Sequence, residues 1–380
     1  MDYDLISIRK HLHQNPELSS SESKTASYIH SLVAKFHPSQ IISNVGGNGL
    51  IAVWSFGESG SSIAFRCELD ALPIEEANDF PHKSTINGIS HKCGHDGHMT
   101  ILVGLAQWLS LQNFKSGKVI LIFQPAEETG RGAYEMLRDP QLKELSIDYL
   151  FALHNIPGAP MHEVQIMRGG FSAEVLSFAI HLKGKETHAA TPELGINPSS
   201  TIAGLLDALN HLNIKDPKDP HFTVLTPVHI NMGEKAYGIS PGQGELHFTV
   251  RTWGSERMAE IKKEIEKITS SLCDLTGLHF NINWFEHFPA SINDEGCNAI
   301  LEKACLSSGI NFQKRPYPFK FGEDFGWFSQ QYNSTMFGLG AGVDTPPLHD
   351  VYYDFPDGLI GSGVEIYSSI ITTIFSGLNF

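Results

Sequence analysis

Residues 118–128 read KVILIFQPAEE, an apolar run that ends in two adjacent carboxylates. A short continuous apolar run of this kind is typical of a strand buried on both faces of a parallel sheet. Residues 63–67 and 149–153 have the pattern of two more buried strands, and residues 99–111 that of an apolar-rich helix. Strands that alternate with helices predict an α/β fold with a mixed, mostly parallel sheet flanked by helices. Functional side chains in such folds follow the carboxyl ends of the strands.

The pattern changes near residue 173. From there the sequence predicts a strand at 175–182, a helix at 198–212, strands at 222–231 and 244–253, a helix at 256–275 and a strand at 279–285. This βαββαβ order is that of a ferredoxin-like sandwich. Helix–strand alternation resumes after residue 292. We therefore expect residues 173–287 to form a small domain inserted into a larger domain, which consists of residues 1–172 and 288–380.

Length and composition narrow the class of protein. A chain of 380 residues exceeds what one core usually supports, which agrees with two domains. Its 27 basic and 42 acidic residues give a formal net charge of -15, which disfavours nucleic acid and membrane surfaces as partners. Five scattered cysteines, with no signal-like N-terminus and no apolar run near the roughly 20 residues that span a bilayer, predict a cytoplasmic location.

The segment CGHDGH at residues 93–98 combines the side chains of a transition-metal site. Cys93 and His95 are two residues apart, so in an extended or looped segment they can face the same side. Both could instead be ordinary buried residues, since free cysteine is often buried. Two glycines and an aspartate in the same six residues make a poor core strand, and this favours the metal site.

Glu127 and Glu128 allow two interpretations. As an exposed helix start, they would complement the helix dipole. As functional groups, adjacent carboxylates that point about 100° apart on a helix suit two tasks, one on a metal and one on a water molecule. The position after a buried strand favours function. His154 and His349 cannot be selected among 19 histidines from spacing alone.

The sequence resembles the metal-dependent aminoacylase and amidohydrolase family, which includes hippurate hydrolases, auxin-conjugate hydrolases and N-acetyl-diaminopimelate deacetylases. The resemblance runs through nearly the whole chain and is most specific in CGHDGH followed by QPAEE. Its other motifs are IRKHLHQNPEL at 8–18, DALP at 70–73, GKETHAA at 184–190, GEDF at 322–325 and LH at 348–349.

The resemblance implies a site with two divalent cations, zinc, manganese, cobalt or nickel. The ligands it implies are Cys93, His95, Glu128, His154 and His349. It implies Glu127 as the catalytic base and Asp70 as a residue that supports the ligands. The inserted domain would act as a lid that forms a homodimer, in which His188 reaches the partner subunit's active site. Arg251 aligns with an arginine of the family and could pair with a substrate carboxylate, or it could be a salt-bridged strand residue.

The sequence departs from the family pattern at three places. Glu68 stands where the family usually has the shorter aspartate, and Gly238 stands where the lid usually carries an asparagine. Glu193 follows Pro192, where a histidine is often found. The metal-site motifs are intact, so these departures concern the substrate and leave the reaction class unchanged.

We expect a hydrolase that cleaves the amide bond of an N-acyl amino acid or a related small conjugate. The acyl group and the amino acid are not readable from the residues. Two alternatives stay open: a dipeptidase or carboxypeptidase of the same superfamily, and a non-catalytic metal-binding relative. An intact Glu127 argues against the second of these, since a protein that only binds metal has no need of a base.

Overall fold

The helices of the computed structural model, which describes residues 4–377, begin and end close to where the sequence pattern changes. They are α1 (Leu5–Gln14), α2 (Ser23–Val33), α3 (His95–Leu109), α4 (Gly132–Arg138), α5 (Pro140–Lys143), α6 (Ser199–Asn210), α7 (Ser255–Thr276), α8 (Glu295–Ser308), α9 (Gly326–Ser329) and α10 (Leu359–Phe375). Helix α3 begins four residues before the predicted start, because Gly94 adopts a left-handed conformation that turns the chain into the helix. Within residues 4–377, no helix combines the length and apolarity needed to cross a membrane.

The strands include all three that the sequence predicts for the first part of the chain. They are β1 (Gln40–Val45), β2 (Gly49–Ser55), β3 (Ser62–Glu68), β4 (Lys118–Gln124), β5 (Tyr149–Ile156), β6 (Val164–Met167), β7 (Gly169–Ser172), β8 (Glu174–Lys183), β9 (Thr187–His188), β10 (Thr223–Met232), β11 (Ile239–Ser240), β12 (Gln243–Thr252), β13 (His279–Phe288), β14 (Ser291–Asn293), β15 (Phe312–Arg315) and β16 (Ser334–Gly340). Strand β5 extends three residues beyond the predicted end, so that His154 lies within it.

Eight strands form one mixed sheet in the order β1-β2-β4-β3-β5-β16-β6-β15. The central strands β4, β3, β5 and β16 pair in parallel, whereas β2 runs antiparallel to β4 and β6 antiparallel to β16. All seven residues of β3 are buried, as a strand covered by helices on both faces requires. The predicted α/β class with a mostly parallel sheet is confirmed.

The apolar core of this sheet fixes the strand ends that carry the polar residues. Phe65 of β3 packs against Tyr367 of α10 and Phe151 of β5, with ring centroids 4.6 and 5.9 Å apart. Because β3, β4 and β5 are parallel neighbours, their carboxyl ends lie at one edge of the sheet. The segments that follow β3 and β4, and the end of β5 itself, therefore deliver their polar side chains to the same edge.

The chain divides into two compact units. The large unit contains the described residues up to Phe171, together with Ser291–Pro316 and the described residues from Glu323 onward. The small unit contains Ser172–Ala290 and Tyr317–Gly322. The sequence pattern assigned residues 317–322 to the larger domain. In the structure, Phe319 bridges to Ser172 and accepts the backbone N–H of Ala173, which holds the segment in the small unit.

The small unit has the βαββαβ order β8-α6-β10-β12-α7-β13, and its four strands form an antiparallel sheet in the order β10-β12-β8-β13. One face of the sheet is apolar and carries Ile180 and Phe248, which belong to the same buried cluster as Leu205 of α6 and Ile261 of α7. Side chains alternate along each strand, so the residues between these apolar positions point to the other face, which carries polar residues. The predicted ferredoxin-like insertion is confirmed.

Gly97 in the CGHDGH segment is required for packing and not for a bend, since it lies inside α3. A Cβ atom there would lie 2.4 Å from three carbons of the Phe355 ring. We expect Gly97→Ala to lower the melting temperature, because overpacking costs about 1–3 kcal/mol and exceeds the gain in helix propensity of about 1 kcal/mol.

Gly204 of α6 provides the matched control, because a Cβ there would meet the Leu272 methyls at an ordinary 3.4–3.5 Å. Gly204→Ala should leave the melting temperature unchanged or raise it, because alanine stabilises a helix by up to about 1 kcal/mol relative to glycine. Equal melting temperatures for the Gly97→Ala variant and the wild-type protein would contradict the packing role of Gly97.

Candidate metal centre

Cys93 and His95 lie on either side of a tight turn at the start of α3. Gly94 between them has a φ of 98°, and a Cβ there would lie 2.6 Å from the side-chain oxygen of Asn155. Only glycine fits this position. The turn leaves both Cys93 and His95 buried and close to the end of β5, which carries His154.

Asp70, in the loop after β3, fixes the orientation of His95. Its backbone carbonyl accepts the Nδ1–H of His95 at 2.8 Å. This hydrogen bond leaves Nε2 as the basic nitrogen of the neutral ring. Among the described residues, this buried Nε2 atom has no hydrogen-bond partner. The Asp70 carboxylate also accepts the backbone N–H of Glu128 at 3.0 Å and the Ser19 hydroxyl at 2.7 Å, so it ties three segments together.

His154 is held in the same way. Its Nδ1–H donates to the backbone carbonyl of Asn155 at 2.9 Å, and its Nε2 lies 3.5 Å from Sγ of Cys93. Burial, together with the nearby ring of His98, lowers the pKa of His154 to about 3. The ring is therefore neutral at physiological pH, which is the form that coordinates metal ions.

Glu127 and Glu128 lie in a turn after β4, not at a helix start, and α4 begins only at Gly132. The interpretation as a solvated helix terminus is therefore wrong. Glu127 is buried, and the Glu128 side chain is 13% exposed. One oxygen of each carboxylate lies 3.9 Å from Nε2 of His95. Oε1 of Glu128 is also buried and has no hydrogen-bond partner among residues 4–377.

His349 reaches this group through a backbone contact. Its N–H donates to the carbonyl of Lys92 at 2.8 Å, directly before Cys93, and its φ of 67° turns the ring toward Glu128. Its Nε2 lies 3.9 Å from Oε1 of Glu128. The side chain is half exposed, which leaves the cluster accessible from solvent on this side.

The structure thus brings the five predicted metal ligands and Glu127 together in the large unit. Three overlapping groups have donor atoms within 4.8 Å of one another: Cys93 with His95 and His154, Cys93 with Glu128 and His349, and His95 with Glu127 and Glu128. Sulfur, imidazole nitrogen and carboxylate oxygen are the donors that transition metals take in proteins.

The electrostatics of the cluster also fit a cation. Burial and neighbouring carboxylates raise the pKa of Glu127 well above its usual range, and burial raises the pKa of Glu128 to about 7. Burial and the same two carboxylates also raise the pKa of the Cys93 thiol. Such shifts mark a site that lacks compensating positive charge, and a divalent cation supplies it.

A buried arginine, which the sequence pattern did not identify, supports the site. Arg66 is fully buried and contacts three carboxylates: those of Glu68, Glu323 and Asp324, the latter two at 2.9 and 2.7 Å. The backbone N–H of Asp324 donates to Glu127 at 3.4 Å. Only the GEDF motif pointed to this segment, and no local spacing links residues 66 and 324.

The Glu68 departure has a structural explanation. Glu68 contacts Arg66 and also accepts the Nδ1–H of His98 at 2.7 Å. The Nε2 atom of His98 lies 2.6 Å from Oδ1 of Asn155, the side chain that packs against Gly94. The longer side chain therefore links the buried arginine to the second histidine of CGHDGH, which braces the turn between Cys93 and His95.

Two further predicted residues belong to the small unit. His188 is exposed in β9 and pairs with Ile239 of β11, and its Nδ1 accepts the backbone N–H of Ala190 at 3.0 Å. Arg251 of β12 is half-buried, and its guanidinium donates to the carbonyl of Lys320 at 2.8 Å. A Cβ on Gly238 would meet no described atom within 4 Å, so glycine is not sterically required there.

Residues 64–373 match the family model described as Peptidase family M20/M25/M40. The chain belongs to this family. N-acetyl-L-cysteine deacetylase from Bacillus subtilis (strain 168) is 32% identical over 370 residues, which cover 97% of this chain and 88% of that relative. This membership confirms the predicted family resemblance and makes the protein a hydrolase of amide bonds.

Solved structures of other proteins share the fold. A dinuclear metal-binding M20 peptidase from Bacillus subtilis has a TM-score of 0.84 at 24% identity, covering 98% of both chains. A tripeptidase from Staphylococcus aureus has a TM-score of 0.76 at 14% identity, also covering 98% of both chains. At these identities the likeness establishes the fold alone.

Replacing Cys93 tests whether its thiolate holds a metal ion. We expect Cys93→Ala to lower the metal bound per chain after dialysis, from two ions toward one, because the sulfur donor is lost. Elemental analysis by mass spectrometry measures this ratio. Cys273→Ala, which removes a buried thiol from the small unit, should keep the wild-type content. An unchanged metal content in Cys93→Ala would exclude the thiolate as a ligand.

Proposed function

We propose that this M20 hydrolase cleaves the amide bond of N-acyl amino acids or closely related small conjugates. The observation that carries the proposal is the buried cluster at the carboxyl end of the sheet, which sets one carboxylate, Glu127, beside a set of metal donors. The N-acetyl-L-cysteine deacetylase relative supports the substrate class, since its similarity extends over 97% of this chain.

We infer that the cluster holds two divalent cations. The residues that would hold them are Cys93, His95, Glu128, His154 and His349. The thiolate favours zinc, whereas imidazole and carboxylate also suit manganese, cobalt and nickel. When bound, such ions lower the pKa of water toward about 7 and polarise a carbonyl group.

Glu127 is suited to move protons. Its Oε1 accepts the backbone N–H of Asp324, which orients the carboxylate while Oε2 faces His95 at 3.9 Å. Burial and the carboxylates of Glu323 and Glu128 raise its pKa and so favour proton uptake. In the proposed reaction Glu127 takes a proton from the attacking water and delivers it to the nitrogen of the departing amine.

His188 supplies a hydrogen-bond donor in this proposal. The backbone N–H of Ala190 donates to its Nδ1, so the neutral ring carries its proton on Nε2. That N–H can donate to the negative charge that develops on the carbonyl oxygen during attack. We infer that it serves the active site of a partner subunit.

The proposed homodimer uses the exposed edge of the small-unit sheet. Strand β10 lies at this edge, and its apolar side chains Val228, Ile230 and Met232 are 67%, 43% and 38% exposed. An apolar edge strand with unpaired backbone groups is a template for pairing with a second chain. This property supports an interface between two copies of the small unit.

Arg251 is the proposed partner of a substrate carboxylate. One of its amino groups donates to the carbonyl of Lys320, which fixes the guanidinium. The planar guanidinium has five N–H donors, so others remain for a bidentate bond to a carboxylate.

A peptidase that acts on short peptides is the second candidate function. Gly238 favours it, because glycine offers no side-chain amide and a Cβ there would meet no described atom within 4 Å, which leaves room for a larger substrate. The fold shared with a tripeptidase is compatible with this function. N-acetyl amino acids and dipeptides, assayed side by side, separate the two functions.

Glu127→Gln tests the proton transfer. With added zinc, manganese or cobalt, we expect wild-type protein to release amine from N-acetyl amino acids faster than from dipeptides. We expect kcat for Glu127→Gln to fall by about 10²-fold or more while the bound metal stays unchanged. Glu135→Gln, on the exposed face of α4, is the control. If the Glu127→Gln variant keeps its turnover, Glu127 is not the catalytic base. If the wild-type protein cleaves dipeptides faster than N-acetyl amino acids, the proposed substrate class is wrong.

Mixing inactive subunits tests the role of His188. In a symmetric dimer, a Glu127→Gln subunit can lend its His188 to the intact site of a His188→Ala subunit. Subunit exchange in an equal mixture should therefore recover about a quarter of wild-type activity, from statistical assortment of the subunits. A mixture of Glu127→Gln with Cys93→Ala should recover none. If the first mixture recovers no activity, His188 does not act in the active site of the partner subunit.

A further inference from the structure

Three histidines and a glutamate converge on the polar face of the small-unit sheet. Glu245 and His247 are two residues apart on β12, so their side chains lie on the same face. His181 of β8 lies directly opposite Glu245 in the ladder, and His229 of β10 lies directly opposite His247. Directly opposed side chains have Cβ atoms about 4.5–5.5 Å apart, close enough to share a ligand.

The carboxylate of Glu245 lies at the centre of this histidine cluster. Its Oε2 is 3.5 Å from Nδ1 of His181 and 3.8 Å from Nε2 of His247, and its Oε1 is 3.6 Å from Nε2 of His229. These gaps exceed the roughly 2.7–3.2 Å of a direct hydrogen bond. The histidine nitrogens approach two different oxygens of Glu245, so a shared ion at 2.0–2.2 Å requires these exposed side chains to rotate toward one point.

The cluster is open to solvent. The exposed fraction of its side chains runs from 30% for His247 to 58% for His229. A depression of about 580 Å³ lies beside it, lined in part by His181, Glu245, Asn231 and Asn281. This space gives an ion a route of access and room for a water molecule in its coordination sphere.

We propose that His181, His229, His247 and Glu245 form a peripheral binding site for a divalent transition-metal ion. Imidazole with one carboxylate suits zinc, nickel and copper, whereas magnesium and calcium prefer oxygen donors throughout. None of the four residues belongs to the proposed catalytic set. Arg251 lies on the same face of β12, but four residues beyond His247, or about 13 Å along the strand.

Zinc binding to the full-length protein with its catalytic ions in place tests the proposal. Holoprotein is dialysed against micromolar zinc chloride, and zinc per chain is measured by mass spectrometry. We expect the wild-type protein to bind one more zinc ion per chain than the Glu245→Gln/His247→Ala double variant. The single variant His229→Ala, on β10, should weaken this zinc binding by about tenfold or more.

Asn283→Ala, on the outer strand β13, is the matched control and should keep the extra ion. Circular dichroism in zinc-free buffer checks that each variant is folded, and His229→Ala provides the result if the double variant is not. Equal zinc content in wild-type protein and a folded variant of the cluster would overturn the proposal. The Cys93→Ala variant tests the catalytic ions and does not change the residues of the histidine cluster. The two metal proposals can therefore be rejected independently of each other.

Discussion

Buried negative charge at the carboxyl end of the central sheet is the constraint on which the rest of the large unit depends. Carboxylates at positions 68, 70, 127, 323 and 324 are all buried there. An unpaired buried charge costs several kcal/mol, so each must have a partner or take up a proton. Arg66 compensates Glu68, Glu323 and Asp324. Glu127 and Glu128 contact no lysine or arginine among the described side chains. His95 approaches both at 3.9 Å and His349 approaches Glu128 at 3.9 Å. The pKa values of both carboxylates stay raised, mainly through burial. This local imbalance is what makes the cluster suited to cations.

Hydrogen bonds to backbone groups orient several of the donor residues. The rings of His95 and His154 each donate Nδ1–H to a main-chain carbonyl, those of Asp70 and Asn155. Each contact selects the tautomer that leaves Nε2 basic. The main-chain N–H of His349 is fixed by Lys92 in the same manner. Because every residue has a main-chain carbonyl, these contacts to His95 and His154 do not depend on the side chains at positions 70 and 155.

The sequence predicted what depends on local pattern. The apolar run at 118–124 and the alternation of elements after residue 173 determined the sheet and the insertion, because burial sets the period of side chains. His349 was beyond local reasoning, since its position depends on a contact with a residue 257 positions earlier in the chain. The Arg66 cluster joins three segments and leaves no periodic signal. The packing of Gly97 against Phe355 leaves no signal in the local sequence, because the two residues meet only in three dimensions.

The central claim is that five side chains far apart in sequence hold a pair of ions next to a free carboxylate. Anomalous X-ray scattering from crystals of the zinc-loaded protein measures this directly. The account predicts two peaks in the large unit of each chain, with Sγ of Cys93 about 2.3 Å from one of them and Nε2 of His349 about 2.0–2.1 Å from one of them. Peaks that leave both Cys93 and His349 outside bonding distance would contradict it.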